Sequence, residues 1–139
     1  MLKLCDIEES YAYVHFGDEY SNTAYISKLT GKTYWHSEFG DNEEELPENI
    51  DENDEYAVIP SKRDLDLGQT LVFRFMRKVA PDQEGQVSNY FSKRGAYARF
   101  RDFLERNNLL QKWYDFEDEQ TKSALIAWCE SNGIKLVAD

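Results

Sequence analysis

The chain has 139 residues, 41% of them hydrophobic and 14% aromatic, with a formal net charge of −11. That length fits one domain with a sizeable core, and the aromatic content argues against wholesale disorder. No apolar run approaches the length of a membrane span, and the acidic balance argues against non-specific nucleic-acid binding.

The amino terminus carries Asp6, Glu8 and Glu9 where a signal peptide needs an apolar core, so the expected protein is soluble and cytoplasmic, with no membrane association. Cys5 and Cys129 lie far apart without a close-spaced partner motif, which reads as two free, buried thiols in a reducing compartment. The charge is asymmetric. Residues 1–61 hold 15 acids and 3 bases, whereas residues 62–139 hold 12 acids and 13 bases.

Leu4, Ile7, Tyr11 and Val14 stand at helical spacing, predicting a first helix that Gly17 and Asp18 stop, with His15 placed where a protonated imidazole favours a helix end. Ala24–Ser27 and Thr33–His36 flank the turn 28–32 and read as a β-hairpin on which His36 is half-exposed. Residues 40–55 form an exposed acidic loop within the domain; from Glu38 to Glu55 ten carboxylates occur without a Lys or Arg. A short strand, Tyr56–Ile59, ends at Pro60.

From Asp64 to Val79 the apolar residues recur at three- and four-residue steps, predicting an amphipathic helix capped by Ser61. Pro81 breaks it. A short helix through Val87, Tyr90 and Phe91 follows, then helices over about 94–107 and 116–131, the last stopped at Asn132-Gly133 ahead of a closing strand over 134–137. The expected fold is α+β: a small amino-terminal antiparallel hairpin or sheet packed on a carboxy-terminal cluster of about four helices, residues 1–139 forming a single domain.

The run Arg94-Gly95-Ala96-Tyr97 through Arg99-Phe100-Arg101-Asp102, then Trp113-Tyr114-Asp115-Phe116, then Trp128 and Asn132-Gly133-Ile134, resembles the carboxy-terminal signature of the bacterial uncharacterised protein family numbered 0158 in the UPF series. The resemblance is strongest over residues 92–134, with weaker echoes at the Thr30-Gly31 turn and the Ile59-Pro60 junction. It implies a small bacterial α+β protein and names no chemistry.

Asp51, Asn53 and Glu55 alternate like the start of an EF-hand loop, but Tyr56 and Lys62 stand where such a loop needs its Gly and its bidentate Glu. The only histidines, His15 and His36, have no ligand-spaced partner, so no metal site is predicted. No phosphate-binding glycine loop, nucleophile elbow or dinucleotide fingerprint occurs; no catalytic residue and no cofactor is assigned.

Two functional readings stand. In the first, a non-catalytic interaction or regulatory protein meets a basic protein partner through Glu43, Glu44, Glu45, Glu48, Asp51, Glu52, Asp54 and Glu55, with spaced carboxylates able to mimic nucleic-acid phosphates. In the second, Lys93, Arg94, Arg99 and Arg101 on the 94–107 helix dock nucleic acid. The second is disfavoured. The helical wheel puts Tyr97, Phe100 and Leu104 on one buried stripe, and the spacings Arg101/Glu105 and Asp102/Arg106 predict ion pairs within the helix. Trp113 and Trp128 read as core anchors.

Overall fold

A computed structural model describes residues 2–16, 21–38 and 45–137. Glu43, Glu44 and the expected stop at Gly17 and Asp18 lie outside them. The architecture is α+β, as the periodicities predict. Two compact units are present: a sheet unit of residues 1–65 and 122–139, and a helical unit of residues 66–121.

In the sheet unit, strand β1 (Leu2–Lys3) runs into helix α1 (Leu4–Val14), whose start is fixed by the Asp6 carboxylate accepting from the Lys3 N–H at 2.9 Å. Strands β2 (Asn22–Ser27), β3 (Thr33–Ser37) and β4 (Tyr56–Val58) form an antiparallel sheet with β2 in the centre. The predicted hairpin is therefore real, and the predicted short strand joins its other edge. Register pairs Ala24 with Trp35 and Ile26 with Ala57, which puts these residues on one face. Ala24, Ile26 and Ala57 on that face share a core with Ile7 of α1 and with Leu125 and Cys129 of helix α5 (Leu110–Ser131).

The end of α5 shows how local chemistry completes this core. Gly133 takes a left-handed conformation (φ 70°), the Ile134 N–H donates to the Cys129 carbonyl at 2.9 Å, and the Gly133 N–H donates to that of Glu130 at 3.2 Å. These are the two bonds of a Schellman stop, which turns Ile134 back beside Cys129 in the core. The chain then forms β5 (Leu136–Val137), which pairs in parallel with β1.

The helical unit contains α2 (Gln69–Val79), a 3-10 turn at Pro81–Gln83, α3 (Glu84–Tyr90), α4 (Ala96–Arg106) and the first part of α5. Leu71, Val72, Phe75 and Met76 form the buried stripe of α2. The helix begins five residues later than the periodicity predicts. Ser61 and Asp64 do exchange cap bonds, at 3.0 and 3.1 Å, but they close a single turn that left-handed Asp66 (φ 55°) ends before α2 starts. Conversely α5 starts at Leu110, earlier than Phe116, because Asn108 (φ 57°) ends α4 in a second Schellman geometry and releases the chain at once into the next helix.

Trp113 is 7% exposed and meets Phe75 and Phe100 edge to face, with centroids 5.3 and 5.1 Å apart, as a core anchor should. Trp128 is only half-buried against the sheet-unit core. Tyr97 departs further from expectation: it is 53% exposed, and Phe103 completes the buried stripe of α4 with Phe100 and Leu104. The spacing 100, 103, 104 satisfies the helical period without Tyr97, whose ring instead meets Phe91 edge to face, 5.1 Å between centroids. Cys129 is buried, whereas Cys5 is exposed, against the expectation of two buried thiols.

Candidate interaction surface of the sheet unit

The two units differ sharply in charge. The sheet unit holds 18 acids against 7 bases, net −11, and the helical unit holds 9 against 9, net zero. All of the chain's excess charge therefore belongs to one unit.

Strand alternation places Tyr25 and Ser27 of β2, Tyr34 and His36 of β3, and Tyr56 and Val58 of β4 on the sheet face opposite the core. The acidic loop is tied to this face. Tyr25 donates its hydroxyl to Asp51 Oδ1 at 3.1 Å, and the Ser27 hydroxyl donates to Glu55 Oε2 at 2.7 Å. Ser27 also accepts the Thr30 N–H at 3.1 Å, so a hydroxyl that is 1% exposed has both its roles filled. The Lys28 N–H donates to the Glu55 carbonyl at 2.7 Å, Glu55 N–H donates to Asn53 Oδ1 at 2.9 Å, and Ile50 is buried. Residues 45–55 are thus a mostly exposed acidic loop that is also fastened to the sheet, with its Ile50 buried.

This fastening divides the predicted site residues. Asp51, though exposed, and half-buried Glu55 each spend a carboxylate oxygen on Tyr25 or Ser27, whereas Glu45, Glu48, Glu52 and Asp54 are exposed acids outside those two bonds. Asp51, Asn53 and Glu55, the three that mimic a calcium loop, each accept a bond from a protein donor. Among the described residues no group of three or more His, Cys, Asp or Glu gathers as a metal site would require. Burial, reinforced by Asp51, pushes the Tyr25 phenol above its ordinary value, so its hydroxyl keeps the proton it donates.

Tyr34 and Tyr56 were not among the sequence-derived candidates. Their rings meet edge to face, 5.8 Å between centroids, and the Lys32 ammonium stands 4.8 Å over the Tyr34 ring. The signal was legible only as a period of two, Tyr34 with His36 and Tyr56 with Val58; sequence does not say which outward-facing aromatics converge across strands.

His15 also differs from expectation. Its Nδ1 lies 2.7 Å from the Tyr11 carbonyl oxygen, and its Nε2 accepts the Lys62 N–H at 2.8 Å. An acceptor nitrogen carries no proton, so the network assigns the neutral Nδ1–H tautomer rather than an imidazolium. The ring clips the end of α1 to the turn at 61–65.

The alternative surface on α4 is exposed at Lys93, Arg94, Arg99 and Arg101. Its cations are partly engaged. Arg99 folds back onto the Arg94 carbonyl beside left-handed Gly95, and Arg101 pairs with Glu105 at 3.2 Å. The predicted Asp102/Arg106 ion pair is replaced by a bond from Arg106 Nε to the Asp102 backbone carbonyl at 3.3 Å.

The profile of an uncharacterised protein family, UPF0158, matches residues 7–139, nearly the whole chain and well beyond the carboxy-terminal signature. No curated protein and no solved structure matches it.

Proposed function

The chain belongs to the uncharacterised protein family UPF0158, and from that premise we propose that it is a bacterial cytoplasmic interaction or regulatory protein that binds a basic protein partner through the acidic edge of its sheet unit. The observation that supports this most is the fastening of the loop. Tyr25 and Ser27 hold Asp51 and Glu55, which fixes the path of the chain and presents Glu45, Glu48, Glu52 and Asp54 outward from an ordered segment. An ordered array of carboxylates loses less entropy on binding than a free acidic tail, and it can take the place of phosphates before a nucleic-acid-binding partner. The exposed Cys5 thiol suits a reducing compartment.

The test is a side-by-side titration with an oligolysine peptide and with single- and double-stranded oligonucleotides, at low and at physiological salt. The expected result is saturable peptide binding that weakens as salt rises, and no oligonucleotide binding at physiological salt. Tight oligonucleotide binding lost on Arg99→Ala with Arg101→Ala would transfer the function to α4.

A further inference from the structure

We propose that Tyr34, Tyr56 and the Glu55 carboxylate form a cation-recognition subsite on the outer face of the sheet, which takes a lysine or arginine side chain of the basic partner. This deepens the function proposed above and rests on it.

The geometry comes from strand register. Tyr34 pairs with Tyr25 across β2–β3 and Tyr56 pairs with Ser27 across β2–β4, so the two rings rise from opposite edges of the sheet on the same face. They lean toward each other until their centroids are 5.8 Å apart at 81°. Two phenol rings set at nearly a right angle present a ring face and a ring edge to the same space, and the faces carry the negative part of the ring quadrupole.

A cation already uses this surface. The Lys32 ammonium lies 4.8 Å from the Tyr34 centroid, within the range of cation–π attraction. Lys32 follows the Thr30-Gly31 turn and is exposed. It serves as an internal occupant that an incoming lysine or arginine displaces.

The carboxylate beside the rings is held in place. Ser27, centred between the edges, donates to one oxygen of Glu55 at 2.7 Å. Partial desolvation, then the charge of Glu55, raises the Tyr56 phenol above its ordinary value, so its ring remains neutral next to the acid. A fixed acid and a neutral aromatic face select a cation over an anion or an apolar side chain, and the exposed acids of the loop raise the local concentration of cationic partners.

The experiment titrates the wild-type protein with an oligolysine peptide while following the ring protons of Tyr34 and Tyr56 by NMR, and measures the affinity of four variants. The ring signals should move in step with saturation. Tyr34→Leu should weaken binding about three- to tenfold and Tyr34→Phe, which keeps the ring, by less than about twofold. Lys32→Gln should tighten binding more than Lys28→Gln, which removes an equal charge from the same turn. Unmoved ring signals with normal binding by Tyr34→Leu would overturn the subsite and leave the acidic surface standing as the partner's site. Absence of any oligolysine binding to the wild type would overturn the acidic surface, and the subsite with it. The wild-type ring shifts separate these outcomes even where Tyr34→Leu folds poorly.

Discussion

Ser27→Ala is the substitution that reports most directly on the fastened loop. The hydroxyl donates to the Glu55 carboxylate at 2.7 Å and accepts the Thr30 N–H at 3.1 Å, so one atom joins the central strand to both the hairpin turn and the acidic loop. A hydrogen bond to a charged group contributes about 1.5–3 kcal/mol and a neutral one about 0.5–1.5 kcal/mol. Glu55 is half-buried, so water recovers part of its loss, and the small cavity left by the oxygen adds little. The expected destabilisation is roughly 2–3 kcal/mol, a large fraction of a typical domain stability of about 5–15 kcal/mol. Urea unfolding followed by tryptophan fluorescence measures it, and Tyr25→Phe, which removes a single bond to Asp51, should cost less, about 1–2 kcal/mol. A Ser27→Ala stability within about 0.5 kcal/mol of wild type would refute the claim that this hydroxyl fastens the loop.

Three further outcomes are expected. Trp113→Ala should cost about 3–5 kcal/mol by emptying the space between Phe75 and Phe100, whereas Trp128→Ala, at the margin of its core, should cost about 1–2 kcal/mol; equal losses in urea melts would contradict the burial difference. Burial pushes the Cys129 thiol up from its ordinary 9.0 to about 11, so a thiol reagent at mildly alkaline pH should label Cys5 quickly and Cys129 only on unfolding. Because the folded chain keeps that proton longer than the unfolded one, the associated stability is whole below pH 9 and declines as pH rises toward 11, and equal labelling of both thiols would count against this. We also expect one cooperative thermal transition, since α5 runs unbroken from the helical unit into the sheet unit; two separated calorimetric peaks would show the units melting independently.

Much of the fold is legible in the sequence where a period and a stop signal agree. The β-branched and aromatic runs on either side of the Thr30-Gly31 turn give the hairpin, and Asn132-Gly133 gives the end of α5. Boundaries fail where one residue adopts a left-handed conformation without being glycine: Asp66 delays α2 and Asn108 brings α5 forward. The candidate surface is legible as charge but not as geometry. The acid count from Glu38 to Glu55 is plain, yet which acids are bonded to the sheet depends on Tyr25 and Ser27, more than twenty positions away along the chain. The wheel of α4 misplaces Tyr97 because two stripes satisfy the same period, and only the neighbours that meet Phe103 decide between them. His15 likewise reads as a helix-end cation until the Lys62 N–H claims its second nitrogen.

On the proposed function, the exposed acids of the sheet unit, and not the cations of α4, meet the partner. The most direct measurement is the association rate with an oligolysine peptide, by stopped flow across a salt series, for three proteins: the wild type, a variant with Glu45→Gln, Glu48→Gln, Glu52→Gln and Asp54→Asn, and a variant with Arg99→Ala and Arg101→Ala. The four acids are chosen because the bonds that fasten the loop come from Asp51 and Glu55, so the fold should survive their neutralisation. The acid variant should associate about tenfold or more slowly at low salt, the gap closing as salt screens charge over about 8–10 Å, while the arginine variant associates as fast as wild type or faster. An acid variant that associates at the wild-type rate across the salt series would contradict the assignment of the partner to the acidic edge.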